Sequence, residues 1–418
     1  MMFVPTGPEL HKALSNSRPI DISIVMPCLN EAISLPHCIA NARRALAKIE
    51  AEYGLFGEIV IADNGSSDGS QDLAISLGAR VVLVESRGYG AALIGGCEGA
   101  YGQYLLMGDA DGSYDFTDGV PMIEQLLSGA DLCMGSRFKG GIGPGAMPWK
   151  NRYIGNPMLT GILNFLFRSR ISDAHCGLRA IVKDCFLALK LSGSGMEFAS
   201  EMVIKATLRR FRIAEVPATL SADLRERAPH LRPWRDGWRH LRYLLMLSPT
   251  GVFGIPAALA MGLAVFIMIF ALGHMLTPSL VPATFGTSWI IVAGFLFTSG
   301  HLAAVLALAT HLYGVRQGYR TLRPVVRRYA SILTLESALL AGAIMLIAGA
   351  GGLVGVGINW ARSSFAALPT IWPLVASTVL GTTGIQTIFG GFMLAIIAGH
   401  DANFTTGLIR SPTYTSQR

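Results

Sequence analysis

Two aspartates one residue apart, Asp109-Ala110-Asp111, follow the apolar run QYLLMG and precede Gly112 and Ser113. Carboxylates so spaced at a strand end are hard oxygen ligands, suited to Mg²⁺ or Mn²⁺ shared with a substrate diphosphate. An ion held there would neutralise charge developing on a departing nucleoside diphosphate. Ser113 either adds a ligand or caps the turn, and the whole run could equally be an Asx turn. Other polar clusters also close apolar runs: Asn30-Glu31, Asp63-Asn64-Gly65-Ser66 and Gly135-Ser136-Arg137. The Asp63 cluster reads either as a ligand-binding end or as a turn capping the next helix. RGYGAAL (Arg87–Leu93) resembles a phosphate loop but lacks the full GxGxxG or Walker pattern. No Ser-His-Asp or Cys-His arrangement offers a competing nucleophile.

These clusters need a scaffold that brings them to one edge. The apolar runs DISIVMP, GEIVIAD, ARVVLVE, QYLLMGD and DLCMGS alternate with helix-like stretches such as Leu35–Ala51 and Gln71–Leu77. That is the pattern of β-α-β units in a mostly parallel sheet buried on both faces. Ligands collect at the carboxyl ends of such strands. The expected fold class is therefore α/β and Rossmann-like for residues 1–224.

Composition points elsewhere for the remainder. The 418 residues are 51% hydrophobic and 15% charged, with mean hydropathy +0.46, which excludes a disordered chain and an ordinary soluble one. Residues 1–204 hold 16 Lys/Arg and 21 Asp/Glu, residues 205–242 ten and four, residues 243–418 eight and two. An acidic head, a basic collar and an apolar tail exclude a nucleic-acid binder, whose positive charge would spread over a folded face. They suit a protein on an anionic membrane surface. A membrane helix needs about 20 apolar residues. Four runs qualify, at 252–276, 289–313, 332–358 and 371–398, within a domain over 249–400. The second connection carries Arg316, Arg320, Arg323, Arg327 and Arg328, the first no charge and the third only Arg362. By the positive-inside rule the Arg-rich loop is cytoplasmic. An even number of spans then places the head and the tail 401–418 on the same side of the inner (plasma) membrane.

Glu336 reads as an interfacial carboxylate near that face. Gly351 and Gly355 form a GxxxG that packs helices within the chain, its default role, or pairs subunits of a homo-oligomer. In the juxtamembrane segment 225–248, Arg232, Arg235, Arg239 and Arg242 interleave with Trp234 and Trp238 at helical spacing, as suits a headgroup layer. The six cysteines all precede residue 205 with no zinc spacing, and so read as reduced packing thiols. MMFVPTGPELHKALSNSRP lacks the apolar core of a signal peptide.

VMPCLNE, IADNGSSDG, RGYGAAL, GDADGS, GSRF and ISDAHCGLRA occur here in the order seen in family 2 glycosyltransferases. The chain resembles their polyprenyl-phosphate branch, typified by dolichyl-phosphate mannose and glucose synthases, over roughly Ile22–Pro249. The resemblance implies a GT-A catalytic domain. It also implies hexose transfer from a UDP- or GDP-sugar to an isoprenoid phosphate at the inner membrane face. Carried over by motif, Pro27 and Glu31 line the nucleotide and Asp63 contacts base or ribose. Asp109 and Asp111 hold metal and diphosphate, and Ala110 between them lies against the nucleotide sugar. Arg137, Lys150 and Arg152 grip the acceptor phosphate, with Asp173 orienting that site or an arginine. Arg225 or Arg227, after EVPATL, reaches back to the donor diphosphate. Leu29 stands where the mannose synthases carry Tyr, and Ser113 where they carry a metal-binding Gln.

A phosphate monoester, with a second pKa of about 6, is largely ionised at neutral pH and attacks without a general base. Catalysis then reduces to positioning and charge neutralisation, with inversion at the anomeric carbon. Asp173 and His175 need not act as a base. Two other readings compete. A processive polysaccharide synthase would carry QxxRW before its pore helices, whereas the Trp-rich segment here reads PWRDGW. A non-catalytic sugar-nucleotide- or lipid-binding membrane protein would have no need of the Asp-Ala-Asp pair and Arg137.

Overall fold

The computed structural model describes residues 19–225, 233–280, 286–318 and 320–408. Arg227 and Arg232 lie outside the described residues, as do the side chains of Trp234 and Arg235. The chain divides into two units, Met1–Leu244 and Leu245–Arg418.

In the first unit, β1 (Ile22–Cys28) is apolar almost throughout because helices cover both faces of its sheet, leaving no side for alternating polar residues. After it come α1 (Leu35–Tyr53), β2 (Gly57–Asp63), α2 (Ser70–Ser76), β3 (Arg80–Leu83), α3 (Tyr89–Gly99) and β4 (Tyr104–Met107). The unit continues through α4 (Val120–Leu127), β5 (Leu132–Ser136), α5 (Asn156–Phe167), β6 (Arg179–Val182), α6 (Lys183–Leu189), α7 (Phe198–Leu208) and β7 (Ile213–Pro217). The sheet order is β3-β2-β1-β4-β6-β5-β7, parallel except for β6, which runs antiparallel to both β4 and β5.

All five expected strands form. The two unexpected ones have physical reasons. β6 spans only four residues and enters antiparallel, outside any β-α-β rhythm, while β7 is a half-buried edge strand carrying Glu215. The reversal of β6 matters for the site. Its amino end lies at the edge where β4 and β5 have their carboxyl ends, so residues 173–178 arrive beside Asp109. The buried Arg179 guanidinium donates to the carbonyls of Cys176 and Ala199 and ties that loop to α7. All six cysteines are buried and unpaired with one another.

α8 (Pro233–Met246) spans the boundary between the units. The second unit contains α9 (Ile255–Leu276), α10 (Thr287–Arg316), α11 (Leu335–Arg362) and α12 (Trp372–Ile397). These four helices, the first extended by a turn from Thr250, are long and apolar enough to cross a membrane and overlap the four expected runs. His301 Nδ1 on α10 pairs with Gln386 Oε1 on α12 at 2.9 Å, a polar link of the kind that joins helices in lipid. Glu336 is exposed in the first turn of α11, behind a capping box of Thr334 and Ser337, where the helix dipole favours a carboxylate. The tail departs from expectation at its start. Leu335 donates its N–H to the Ala402 carbonyl, and Phe404 is buried against Leu312 and Leu394, so 401–408 folds onto the helix ends.

The expected GxxxG does not pack within the chain. At Gly349 an added Cβ would lie 2.4 Å from the Gly381 nitrogen, and at Gly384 2.6 Å from that of Leu346, whereas Gly351 and Gly355 face open space. At about 100° per residue, positions 342 and 349 share the face toward α12, and 351 is turned about 200° from 349. Gly349→Leu is therefore expected to lower the thermal unfolding midpoint of the full chain in detergent, by overpacking worth about 1–3 kcal/mol. Gly351→Leu should leave it nearly unchanged; equal effects would refute this packing.

Candidate active site

The carboxyl ends of β1, β2 and β4 meet around a cleft of about 400 Å³. Two loops make its base. After β1, Asn30 takes a left-handed conformation (φ 58°), its N–H donating to Ser66 Oγ and its Oδ1 accepting from the Ser67 N–H. After β2, Asp63 Oδ2 accepts from the N–H groups of Gly65 and Ser66 and from Gln71 Nε2. One oxygen thus closes a turn, while Oδ1 is buried without a partner among the described residues; the next helix has Gly69 at its N-cap and no side-chain cap, so Asp63 does not cap it. The Asn64 amide donates to the carbonyls of Val84 and Ser86 and accepts from the Gly88 N–H, anchoring the RGYG loop. Gly88 adopts φ 138°, and a Cβ there would strike the Ser194 carbonyl. Only glycine lets α3 start at this point.

Asp109 and Asp111 follow β4. Asp111 Oδ1 accepts from the Ser113 N–H at 3.0 Å, so the Asx turn is real, and Oδ2 lies 3.2 Å from Arg225 Nη1. Asp109 Oδ1 is buried with no partner. Burial first, and then the neighbouring charge of Asp111, pushes the Asp109 carboxyl up to about 6 against the pull of the Tyr89 hydroxyl, Arg225 and Arg179. Gly177 lets the loop before β6 approach, since a Cβ there would lie 2.8 Å from Asp109 Oδ2. Arg225 clasps Glu31 through Nε (2.9 Å) and Nη2 (2.7 Å) while also touching Asp111. Its guanidinium is held charged: burial opposes this, but Glu31 and Asp111 outweigh it.

Glu31, Asp109 and Asp111 line one cleft with Arg225 clasped between two of them and Arg87 and Arg239 elsewhere in the lining. The orphaned Asp109 oxygen and the mutual repulsion of the pair fit a shared divalent cation, with substrate oxygens completing its shell. Among the described residues no cluster of three or more His, Cys, Asp or Glu forms a closed protein cage for a metal.

Pro27, Glu31, Asp109, Ala110, Asp111 and Arg225 line the cleft together. Asp63 sits beneath it, next to the lining Asn64. Ser113, Arg137, Lys150, Arg152 and Asp173 do not line it. Lys150 and Arg152 lie beside Trp149 and Tyr153, ahead of α5. Sequence reasoning named Asn64 only within the Asp63 cluster and Arg87 and Tyr89 only within the RGYG motif, and it missed Met196 as a lining residue. It placed Arg239 in a headgroup layer, yet that residue lines the cleft.

Arg137 and Asp173 form a separate, buried pair. Nε reaches Oδ2 at 2.7 Å, Nη2 reaches Oδ1 at 2.8 Å, and the Arg137 N–H also donates to Oδ2. Burial raises the Asp173 carboxyl, but the hydrogen bonds and charge of Arg137 outweigh it and hold the group below the usual carboxylate range. Its stabilisation is therefore present above the unfolded value, about 3.9, and is lost as pH falls below that. Asp173→Asn, leaving a buried unpaired guanidinium, should cost about 3–5 kcal/mol. In thermal unfolding of the full chain, the gap between wild type and variant should close below about pH 4; a pH-independent gap would sink the assignment. His175 packs edge-on against His240, ring centroids 4.9 Å apart. Burial and then His240 press its pKa down to about 3, which makes it a poor proton acceptor at neutral pH.

Residues 23–188 match the glycosyl transferase family 2 domain, and residues 308–398 match the glycosyltransferase family 2 C-terminal transmembrane region. The low-salt glycan biosynthesis hexosyltransferase Agl6 of Haloferax volcanii is 34% identical over 93% of this chain and 92% of its own length. Glycosyltransferase AglJ of the same organism is 31% identical over 52% of this chain and 69% of its own. The dolichyl-phosphate hexose transferase of that organism is 26% identical over 47% of this chain and 81% of its own.

Proposed function

Because the chain belongs to glycosyltransferase family 2, as a membrane protein with a GT-A catalytic domain, we propose the transfer it performs. A hexose passes from a UDP- or GDP-sugar to a polyprenyl phosphate, undecaprenyl or dolichyl, with inversion at the anomeric carbon. The constellation of Glu31, Asp109, Asp111 and Arg225 at one sheet edge, in a chain with four apolar helices, carries this reading. The names of Agl6 and the dolichyl-phosphate hexose transferase support the hexose and the lipid acceptor.

Pro27 and Glu31 border the nucleotide, with Asp63 fixing the loop under base or ribose. Asp109 and Asp111 would hold Mg²⁺ or Mn²⁺, which when bound supplies charge neutralisation at the leaving diphosphate. Arg225 releases part of its grip on Glu31 and Asp111 to take a diphosphate oxygen, trading one charge-assisted pair for another. Arg137, held by Asp173 outside the cleft lining, supports the acceptor side from behind it, and the acceptor phosphate attacks as a dianion without a protein base. Lys150 and Arg152 draw that anion toward the site. The Arg-rich loop between α10 and α11 supports the reading that the catalytic unit faces the cytoplasm at the inner membrane.

The test is transfer by the purified full chain to undecaprenyl phosphate. Radiolabelled UDP-glucose, GDP-mannose and UDP-N-acetylglucosamine are offered separately, each with Mg²⁺ or with EDTA. One donor should yield a labelled, EDTA-sensitive lipid. Label that persists in EDTA overturns the metal role. No lipid from any donor, with nucleotide still bound, overturns the acceptor reading.

A further inference from the structure

The segment that leads into the apolar helices also furnishes part of the cleft wall. Helix α8 belongs to the catalytic unit as far as Leu244. His240 and Leu244, one helical turn apart, are both buried. His240 Nδ1 lies 2.9 Å from the hydroxyl of Ser200 on α7, and its ring meets His175 edge-on. Arg239, about 100° round the helix from His240, lines the cleft with Asp109, Asp111 and Arg225. The seat of His240 on α7 therefore fixes where the Arg239 guanidinium enters.

Among the described residues the cleft lining carries three carboxylates, Glu31, Asp109 and Asp111, and three guanidiniums, Arg87, Arg225 and Arg239. Arg225 is held by Glu31 and Asp111, whereas Arg87 and Arg239 form no ion pair among the described residues. A divalent cation on the aspartates and a dianionic nucleoside diphosphate sugar would enter together with no change in net charge. Removing Arg239 would leave the occupied cleft with an excess negative charge. An arginine fork also matches a pair of phosphate oxygens.

We propose that Arg239 binds the diphosphate of the donor from α8, with His240 as its positioning residue, so that donor affinity depends on how this helix is seated. The inference rests on the reading of the cleft as a nucleotide-sugar site. An acceptor phosphate offers the same oxyanion chemistry. Arg239 goes to the donor because it shares the cleft with Pro27 and the aspartates, whereas Arg137 and Asp173 do not line it.

The full chain in detergent is titrated calorimetrically with UDP and with GDP, each in Mg²⁺. Wild type should bind one of them. Arg239→Met should weaken that nucleotide about tenfold, the worth of one charge-assisted hydrogen bond. Its unfolding midpoint should not move, because the side chain is exposed. Arg242→Met removes an exposed cation from the same helix outside the lining, and should leave nucleotide affinity nearly unchanged. Ser200→Ala, which takes the hydroxyl from His240, should weaken the nucleotide several-fold alone and no further when combined with Arg239→Met.

Equal losses at 239 and 242 would reduce the effect to general electrostatics and overturn the proposal. Additive effects of Ser200→Ala and Arg239→Met would overturn the positioning role. A raised KM for undecaprenyl phosphate in Arg239→Met, with nucleotide affinity unchanged, would move the residue to the acceptor. Wild-type nucleotide binding that Arg239→Met leaves intact overturns this inference alone. Binding of neither nucleotide to the wild type overturns the donor reading itself, and this inference with it.

Discussion

Asp109→Asn and Asp111→Asn are each expected to lower transfer about 10³-fold, the upper range for removing one preorganised electrostatic element from an active site. Asp109 contributes a buried oxygen with no hydrogen-bond partner among the described residues, and Asp111 is the neighbour whose charge raises its carboxyl. Two carboxylates so placed repel one another, which is why they are proposed as ligands of a shared cation. The same geometry predicts opposite signs for activity and stability. Removing one charge relieves the repulsion, so the thermal midpoint of Asp109→Asn should hold or rise while turnover collapses. Initial rates with the active donor, beside unfolding of the same preparation, check both. Activity within about tenfold of wild type, a barrier change near 1.4 kcal/mol, would sink the metal-ligand role.

Arg225→Met is expected to cost about 10²–10³-fold in kcat/KM for the donor, the range found when a donor to developing charge is removed. Arg225 is bonded to both Glu31 and Asp111, and it lines the cleft they share. Without it the diphosphate loses the guanidinium that joins Glu31 and Asp111, leaving Arg87 and Arg239 as the cations lining the cleft among the described residues. Arg225→Lys should recover only part of the loss, because an ammonium cannot reproduce the planar fork that spans two carboxylates. Arg227→Met serves as the comparison and should change donor kinetics by less than about tenfold. The reverse ranking would transfer the diphosphate role to Arg227. Nucleotide binding by calorimetry, with and without Mg²⁺, separates lost affinity from a lost chemical step.

What was legible in the amino-acid order, and what was not, follows the range of the interactions involved. The five strands β1 to β5 could be read because each is a local apolar run closed by turn residues, and the four long helices because lipid demands apolar length. β6 could not: four residues entering antiparallel between β4 and β5 are defined by hydrogen bonds to strands about 50 to 75 positions earlier. Its reversal is what brings Gly177 against Asp109. The Gly351-Gly355 pair misled because a motif of two small residues carries no phase, and the contact face of α11 is set by where α12 lies.

By itself the sequence determined that an α/β domain with a carboxylate pair at a strand end precedes four apolar helices, since these depend on local pattern and composition. Only the tertiary structure decided that Arg225 joins Glu31 and Asp111, that Asp173 holds Arg137 apart from that cleft, and that Arg239 of α8 lines it. Each of those depends on charges or surfaces distant in the chain meeting, or failing to meet, in a low-dielectric interior, where an unpaired group is too costly to leave to chance.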